Sequence, residues 1–207
     1  MKIFDIGANI GAFTDANLKL YPESDFLLIE ANPDLFKKLS KKFSNRTNVL
    51  VKNYCVSNIN NDRIKFHLSK HDTISTASTE WVKSSRFPSS SFYKTIEVDS
   101  ISIDNLIIQY GDPDFIKIDV EGYESTVLSG LSKNVCRLSF EWAEESQAEI
   151  LKSLKHLNEI GYKEFFVKEE ESFSLSPPSY NSYSDVVDFI KSLIPSRKEK
   201  WGMIFAA

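Results

Sequence analysis

Short strand-like and helix-like runs alternate along almost the whole chain, and this alternation restricts the fold more than any single motif does. Lys2 to Ile6 is β-prone, and Ala12 to Tyr21 reads as a helix that stops before Pro22. Asp25 to Glu30 is a second strand. Asn32 and Pro33 then open a helix, Asn32 as cap and Pro33 in the first turn, and Leu35, Phe36, Leu39 and Phe43 fall on one face of it. Asn48 to Lys52 is a strand, and Tyr54 to Ser57 continues it or forms its exit. Further strands are expected at Arg63 to Leu68, Thr95 to Val98, Asp114 to Asp119, Val135 to Glu141, Tyr162 to Val167 and Trp201 to Ala206. Helices are expected at Ile103 to Gln109, Tyr123 to Ser129, Gln147 to Ile160 and Ser184 to Leu193, with Gly130 and Gly161 placed as C-caps. Such βα units build a mostly parallel sheet with helices on both faces. Ligands of these sheets bind outside the carboxyl ends of the strands, so Asp5 to Gly11, Glu30 to Asn32, Ser57 and Asn58, Asp119 to Gly122, and Glu141 are the residues to inspect.

One segment breaks the rhythm. Ser69 to Lys94 is rich in Ser and Thr, carries Trp81, Phe87, Phe92 and Tyr93, and shows no period. Long aperiodic stretches inside a domain are usually functional, so 69–94 is expected to be an acceptor-site loop or lid within a single domain spanning 1–207. Its aromatics either stack on a ring-shaped ligand or plug the edge of the core.

Composition narrows the partners. A formal net charge of −4 lacks the basic surplus of a dedicated nucleic-acid binder, although Arg197, Lys198 and Lys200 form a local basic group. No apolar run approaches the roughly 20 residues of a membrane span. The first residues, MKIFDIGANIG, are too short in apolar character and too acidic at Asp5 for a signal peptide. Cys55 and Cys136 sit in apolar or strand-like runs and read as buried thiols in a reducing compartment. The expected location is therefore cytoplasmic.

Three constellations carry chemistry. The chain has only seven glycines, and Gly7 and Gly11 both fall in the turn after the first strand, where glycine lets the backbone approach a ligand. The spacing G-x-x-x-G does not meet the dinucleotide fingerprint G-x-G-x-x-G. Glu30 ends the second strand, where an acidic residue can accept both hydroxyls of a ribose; this argues for a nucleoside without choosing between a nicotinamide dinucleotide and S-adenosylmethionine. In the third, Lys117, Asp119 and Glu121 alternate along one strand and its exit. Three ionisable groups there either satisfy one another or serve a reaction.

In this order and spacing, DIGANIG, IEANP and FIKIDVEGYE resemble the FkbM family of S-adenosylmethionine-dependent methyltransferases, a likeness that runs over roughly residues 1 to 167. The resemblance implies a class I methyltransferase fold, Rossmann-like, with a mostly parallel seven-stranded sheet whose last strand is antiparallel. It also implies methyl transfer to a hydroxyl, plausibly of a sugar in a glycan, polysaccharide or glycosylated product. Carried over by residue, Asp5, Gly7, Asn9 and Gly11 would line the methionine and ribose part of the cofactor. Glu30 would hold the ribose diol, Ala31 and Asn32 would border the adenine, Ser57 and Asn58 would lie at the adenine edge, and Asp119 and Glu121 would face the reaction centre. Two departures stand out: Cys55 replaces a frequent alanine, and the chain starts almost at the first strand, so acceptor binding is expected to fall to 69–94 or to a partner.

A sugar hydroxyl needs a base or a metal to become a nucleophile. Asp119, Glu121 and His71 are the candidate bases, with Asp119 preferred, and Asp119 with Glu141 can hold Mg²⁺ or another divalent cation through water. The rival readings are a nicotinamide-dependent oxidoreductase, a non-catalytic nucleoside-binding domain, and an RNA or protein methyltransferase on the same fold.

Overall fold

The computed structural model describes residues 1–207, the side chain of Asp72 excepted. Its elements run β1 (Lys2–Ile6), α1 (Ala12–Leu20), β2 (Asp25–Ile29), α2 (Pro33–Lys42), β3 (Val49–Lys52), β4 (Cys55–Val56), β5 (Arg63–Ser69), α3 (Thr79–Ser84), β6 (Phe92–Ile101), α4 (Ile103–Tyr110) and β7 (Phe115–Ile118). There follow α5 (Glu124–Leu128), β8 (Arg137–Ala143), α6 (Gln147–Glu159), β9 (Glu164–Glu169), β10 (Asn181–Ser182), α7 (Tyr183–Ser192) and β11 (Trp201–Ala206).

The main sheet has the order β3-β2-β1-β7-β8-β11-β9-β10. β3, β2, β1, β7 and β8 are parallel neighbours, and β11 runs antiparallel between β8 and β9. The first seven of these strands are the expected sheet, and its antiparallel last strand is inserted between two others. The eighth strand, β10, is a two-residue addition antiparallel to β9. Chain order reverses between β1 and β7, and a crevice opens there outside the carboxyl ends of the strands.

The central strands β1, β2, β7, β8 and β11 are buried on both faces, and the side-chain alternation sorts them into two cores. Phe4, Ile6, Ile116, Ile118, Leu138 and Phe140 pack with α4 to α7 through residues such as Leu106, Val127, Leu154 and Ile190. Ile3, Phe26, Leu28, Phe115 and Phe205 face the opposite side and meet Phe13 of α1, Leu39 of α2 and Leu175 from the segment between β9 and β10. Asp5 of β1, which is fully buried, and Lys117 of β7, also buried, are the charged interruptions of these strands.

A second sheet, β4-β6-β5, was not expected as a unit. β6 is longer than Thr95 to Val98 and pairs antiparallel with β5 over its length, with a register shift at Leu68/Ser69. It stands beside the crevice on a small core of Cys55, Phe66, Leu68 and Val98. The 69–94 segment is not irregular throughout. Ser78 accepts a hydrogen bond from Trp81 N at 3.0 Å and so caps α3, Trp81 is buried, and short 3-10 turns flank the helix. Local Ser and Thr bonds and one anchoring aromatic replace hydrophobic periodicity here, which is why the pattern was silent. The two thiols are free: Cys55 is buried and Cys136 half-buried, and burial pushes both up to about 12. No described helix is long and apolar enough to cross a membrane.

Candidate active site

A cavity of about 650 Å³ lies at the carboxyl ends of β1, β2, β7 and β8. The turn after β1 forms its floor. Gly7 N and Ala8 N both donate to Ile29 O, at 2.9 and 3.1 Å, which binds this turn to the end of β2. Gly7 has φ +76°, and a Cβ there would sit 1.8 Å from the carbonyl oxygen of Asp119. The backbones of the β1 and β7 exits therefore touch, and only glycine permits it.

Glu30 ties the second wall to the first. Its Oε2 accepts from Asn9 N at 2.8 Å and its Oε1 from Asn32 N at 2.7 Å. Each oxygen keeps a lone pair for a further donor. The carboxyl is 6% exposed, and burial raises its pKa to about 7 against the opposing pull of those two N–H bonds. Tyr54, Cys55, Val56 and Tyr123 supply an apolar surface beside it.

Charge concentrates at the other end. Lys117 Nζ lies 3.4 Å from Asp5, 3.3 Å from Asp119 and donates to Gly7 O at 3.0 Å. Burial lowers the pKa of this ammonium, but Asp119 and then Asp5 overcome that and hold it above its ordinary value. Asp119, Glu121 and Glu141 bring carboxylate oxygens within 4.8 Å of one another. Glu121 and Glu141 are both raised well above the usual carboxylate range, first by burial and then by the negative charge of their neighbours. Crowded carboxylates of this kind retain a proton, accept one from a ligand, or surround a cation.

The loop that carries them is shaped by Glu124. Its Oε1 accepts from Val120 N at 3.0 Å and Gly122 N at 3.3 Å, while Glu121 holds a left-handed φ of 58°. Thr76 Oγ1 donates to Glu121 O at 2.7 Å, and the ring of Trp81 lies against Gly122, so the 69–94 segment rests on this loop. Glu124→Ala is expected to free both N–H groups, loosen the turn and weaken binding of a nucleoside ligand about tenfold, whereas Glu124→Gln keeps the accepting oxygen and stays within about threefold. Isothermal titration of the two variants measures the difference, and equal losses would show that charge, not hydrogen bonding, is the important property.

The structure brings Gly7, Asn9, Glu30, Ala31, Asp119, Glu121 and Glu141 to one cavity. It places the other expected residues elsewhere. Asp5 lies beneath the floor, with Oδ2 accepting from Thr14 Oγ1 at 2.7 Å, and acts on the cavity through its charge, on Lys117 and on Glu30. Gly11 is the N-cap of α1, and Asn32 caps α2 by accepting from Asp34 N at 3.0 Å. Ser57 is buried behind Tyr123, with the two hydroxyl oxygens 3.3 Å apart, and Asn58 is exposed. His71 is exposed and outside the cavity lining. Of the aromatics in 69–94, Trp81 and Phe87 line the cavity in edge contact, with centroids 6.3 Å apart, and Tyr93 points to solvent.

Arg86 and Glu171 line the cavity without having been expected. Arg86 lies in the aperiodic stretch and is fixed by Glu145, a partner 59 residues away. Glu171 sits in the loop after β9, near Asp119 and Lys117. Nothing local in the sequence marks either.

The sequence pattern of the methyltransferase FkbM domain matches residues 5–164. No curated protein matches the chain by sequence. Among solved structures, the precorrin-6y C5,15-methyltransferase of Geobacter metallireducens GS-15 superposes with a TM-score of 0.50 at 13% identity, over 100% of this chain and 78% of that one. Fibrillarin of Methanococcus jannaschii, described as a pre-rRNA processing protein, gives a TM-score of 0.52 at 11% identity, over 99% of this chain and 65% of its own. Fibrillarin of Aeropyrum pernix, solved with natively bound S-adenosyl-L-methionine, gives 0.51 at 12% identity, over 100% and 66%. At these identities the likeness is one of fold.

Proposed function

The chain belongs to the FkbM methyltransferase family, and from that premise we propose that it is an O-methyltransferase that transfers the methyl group of S-adenosylmethionine to a hydroxyl of a sugar, in a glycan, polysaccharide or glycosylated product. The observation that carries this reading is the shared cavity: a doubly N–H-bonded Glu30 at one end and the Asp119, Glu121 and Glu141 carboxylates at the other. The whole chain is taken as one methyltransferase domain whose 69–94 segment forms the acceptor wall. The free thiols suit a cytoplasmic setting, and the net charge of −4 suits a small-molecule or glycan acceptor better than nucleic acid.

The residues fit a nucleoside sulfonium. Glu30 offers a lone pair on each oxygen to the ribose hydroxyls, Tyr54, Cys55 and Tyr123 border the base, and the turn Gly7 to Asn9 admits the ligand close to backbone. When bound, the cofactor supplies an electrophilic methyl group; the protein supplies position and electrostatics. Asp119 is tied to Lys117, so Glu121, with its raised proton affinity, is the better placed base, and Asp119 orients the acceptor hydroxyl. The same three carboxylates would hold Mg²⁺ if the reaction uses one, acidifying the hydroxyl. The test is S-adenosylhomocysteine release from S-adenosylmethionine over a panel of methyl glycosides. Glu121→Gln should lower turnover by about 10²-fold or more with homocysteine-nucleoside affinity unchanged. Turnover should rise with pH as the Glu121 carboxyl ionises, and this limb should vanish in the variant. Undiminished turnover in Asp119→Asn removes Asp119 from the mechanism, and indifference to EDTA removes the metal.

A further inference from the structure

Two cations line the cavity among the described residues, Lys117 and Arg86, and both are already committed. Lys117 is held by Asp5, Asp119 and Gly7 O. Arg86 is held along one edge by Glu145, with Nε to Oε1 at 2.9 Å and Nη2 to Oε2 at 2.7 Å. Arg86 N also donates to Oε1 at 3.0 Å, and Nη2 donates to Lys200 O at 3.0 Å. The Glu145 side chain is 4% exposed and lies outside the cavity lining, so it acts from behind the guanidinium. Among the described residues Nη1 has no hydrogen-bond partner, and Arg86 lines the cavity. This bidentate pair, with the Arg86 side chain 20% and that of Glu145 4% exposed, sets a carboxylate charge directly against the guanidinium and leaves Nη1 as its remaining donor.

The same space holds Asp119, Glu121 and Glu141, of which Glu141 and Glu121 add to the negative charge acting on Arg86, and Glu171 lies near Asp119 and Lys117. The acceptor end therefore offers hydrogen-bond donors and acceptors but no uncompensated positive charge. A carboxylate, sulfate or phosphate placed there would lose its water, face three carboxylates and find no free cation. Trp81 and Phe87, in edge contact with each other, give the same space an apolar wall suited to the C–H face of a sugar ring.

Resting on the proposed sugar O-methylation, we infer that Glu145 is a specificity-determining positioning residue: by neutralising Arg86 it makes the acceptor subsite select uncharged sugars over anionic ones such as uronates and sugar phosphates. Discrimination then comes from an unfavourable charge environment for the wrong substrate as well as from contacts to the right one. Arg86 is the donor that touches the acceptor, and Glu145 sets what that donor will tolerate.

Two readouts test it. In the first, inorganic sulfate is titrated, against sodium chloride at matched ionic strength, into wild type saturated with S-adenosylhomocysteine, with thermal midpoint and calorimetric heat followed. Wild type should show no specific sulfate binding, Glu145→Gln should acquire it, and the double variant Arg86→Gln/Glu145→Gln should lose it again. Glutamine keeps Oε1 for Arg86 N and Nε, so the backbone anchor survives the change. In the second, methyl glucoside and methyl glucuronide compete for methylation. Wild type should favour the neutral glycoside at least about tenfold in kcat/KM, and the ratio should fall towards unity in Glu145→Gln. A merely structural role for Glu145 would lower both rates together and leave the ratio alone. Specific sulfate binding by wild type, preference for the glucuronide, or an unchanged ratio in the variant overturns the inference. Absence of methylation of any glycoside, with the homocysteine nucleoside still bound, overturns the sugar reading instead, and the sulfate titration then decides the charge filter alone.

Discussion

Glu30→Ala is expected to weaken S-adenosylhomocysteine binding by at least about 100-fold, because two charge-assisted hydrogen bonds to the ribose, each contributing roughly 1.5–3 kcal/mol, disappear together. The variant also releases Asn9 N and Asn32 N, whose bonds to Glu30 join the two turns that frame the cavity. Titration calorimetry on wild type and variant checks this, and an unaltered affinity would dismiss Glu30 as the ribose ligand. The pH dependence gives an independent check. Burial raises free Glu30 to about 7, and ribose hydroxyls donating to its oxygens favour the ionised form, so binding lowers that value. Below pH 7 the affinity should climb with pH, by at most tenfold per unit, and level off above it. Binding near pH 6 should release up to one proton. This appears as a difference in apparent enthalpy between buffers of unlike ionisation heat, and Glu30→Ala should abolish the difference.

The same shift bears on stability, with the opposite benefit. A carboxyl whose folded value lies above its unfolded value binds more protons in the native state over the interval between them, so stability falls as pH rises through it. From an ordinary value of 4.5 to about 7, Glu30 alone costs the ligand-free protein about 3 kcal/mol. Glu124, raised to about 7, and Glu121 and Glu141, raised well above the usual carboxylate range by burial, act in the same direction. The site is thus assembled at the expense of the apo fold and is repaid when hydroxyl donors arrive.

The sequence disclosed the parts of this arrangement that rest on local rules. Alternating apolar runs located the strands of the main sheet, because strands buried on both faces are nearly continuous in hydrophobicity and their interruptions, Asp5 and Lys117, stand out. Motif order then placed Gly7, Glu30 and Asp119 at neighbouring strand ends, since in a parallel sheet those ends share one side. What stayed hidden depends on contacts between distant segments. The second sheet pairs β5 with β6 across the aperiodic stretch, and Arg86 finds Glu145 only after the sheet has formed. The motif puts Asp5 and Gly11 near the cavity without saying which atoms face it: the Asp5 side chain turns to Thr14 and Lys117 beneath the floor, and Gly11, which has no side chain, caps α1. A motif gives position along the chain; whether a side chain faces the ligand or supports one that does is decided by the pleat and by the packing of α1.

Gly7 provides the sharpest separation of those two roles. Gly7→Ala is expected to destabilise the protein by about 3 kcal/mol or more, lowering Tm by roughly 10 °C in a chain of this size, and to remove cofactor binding. The added Cβ would meet Asp119 O at 1.8 Å and Asp119 C at 2.9 Å, both backbone atoms of the adjoining β7 exit, with no flexible side chain to move aside. Relief requires β1 and β7 to separate at their ends, which strains the bond from Asp119 N to Ile6 O at 3.1 Å and shifts the turn that Gly7 N and Ala8 N tie to Ile29 O beside the Glu30 wall. Gly161 is the control. It also has positive φ, at +112°, but a Cβ there would meet only Asn134 Cβ, at an ordinary 3.6 Å. Gly161→Ala should therefore carry the conformational cost alone, about 1–2 kcal/mol, and leave S-adenosylhomocysteine affinity as it is. Differential scanning calorimetry and titration of both variants distinguish the terms. If the two alanines destabilise equally and both bind, contact between the β1 and β7 backbones does not shape the site. If Gly7→Ala alone fails in both, the glycine is required by the neighbouring strand, and the cofactor pocket owes its floor to that contact.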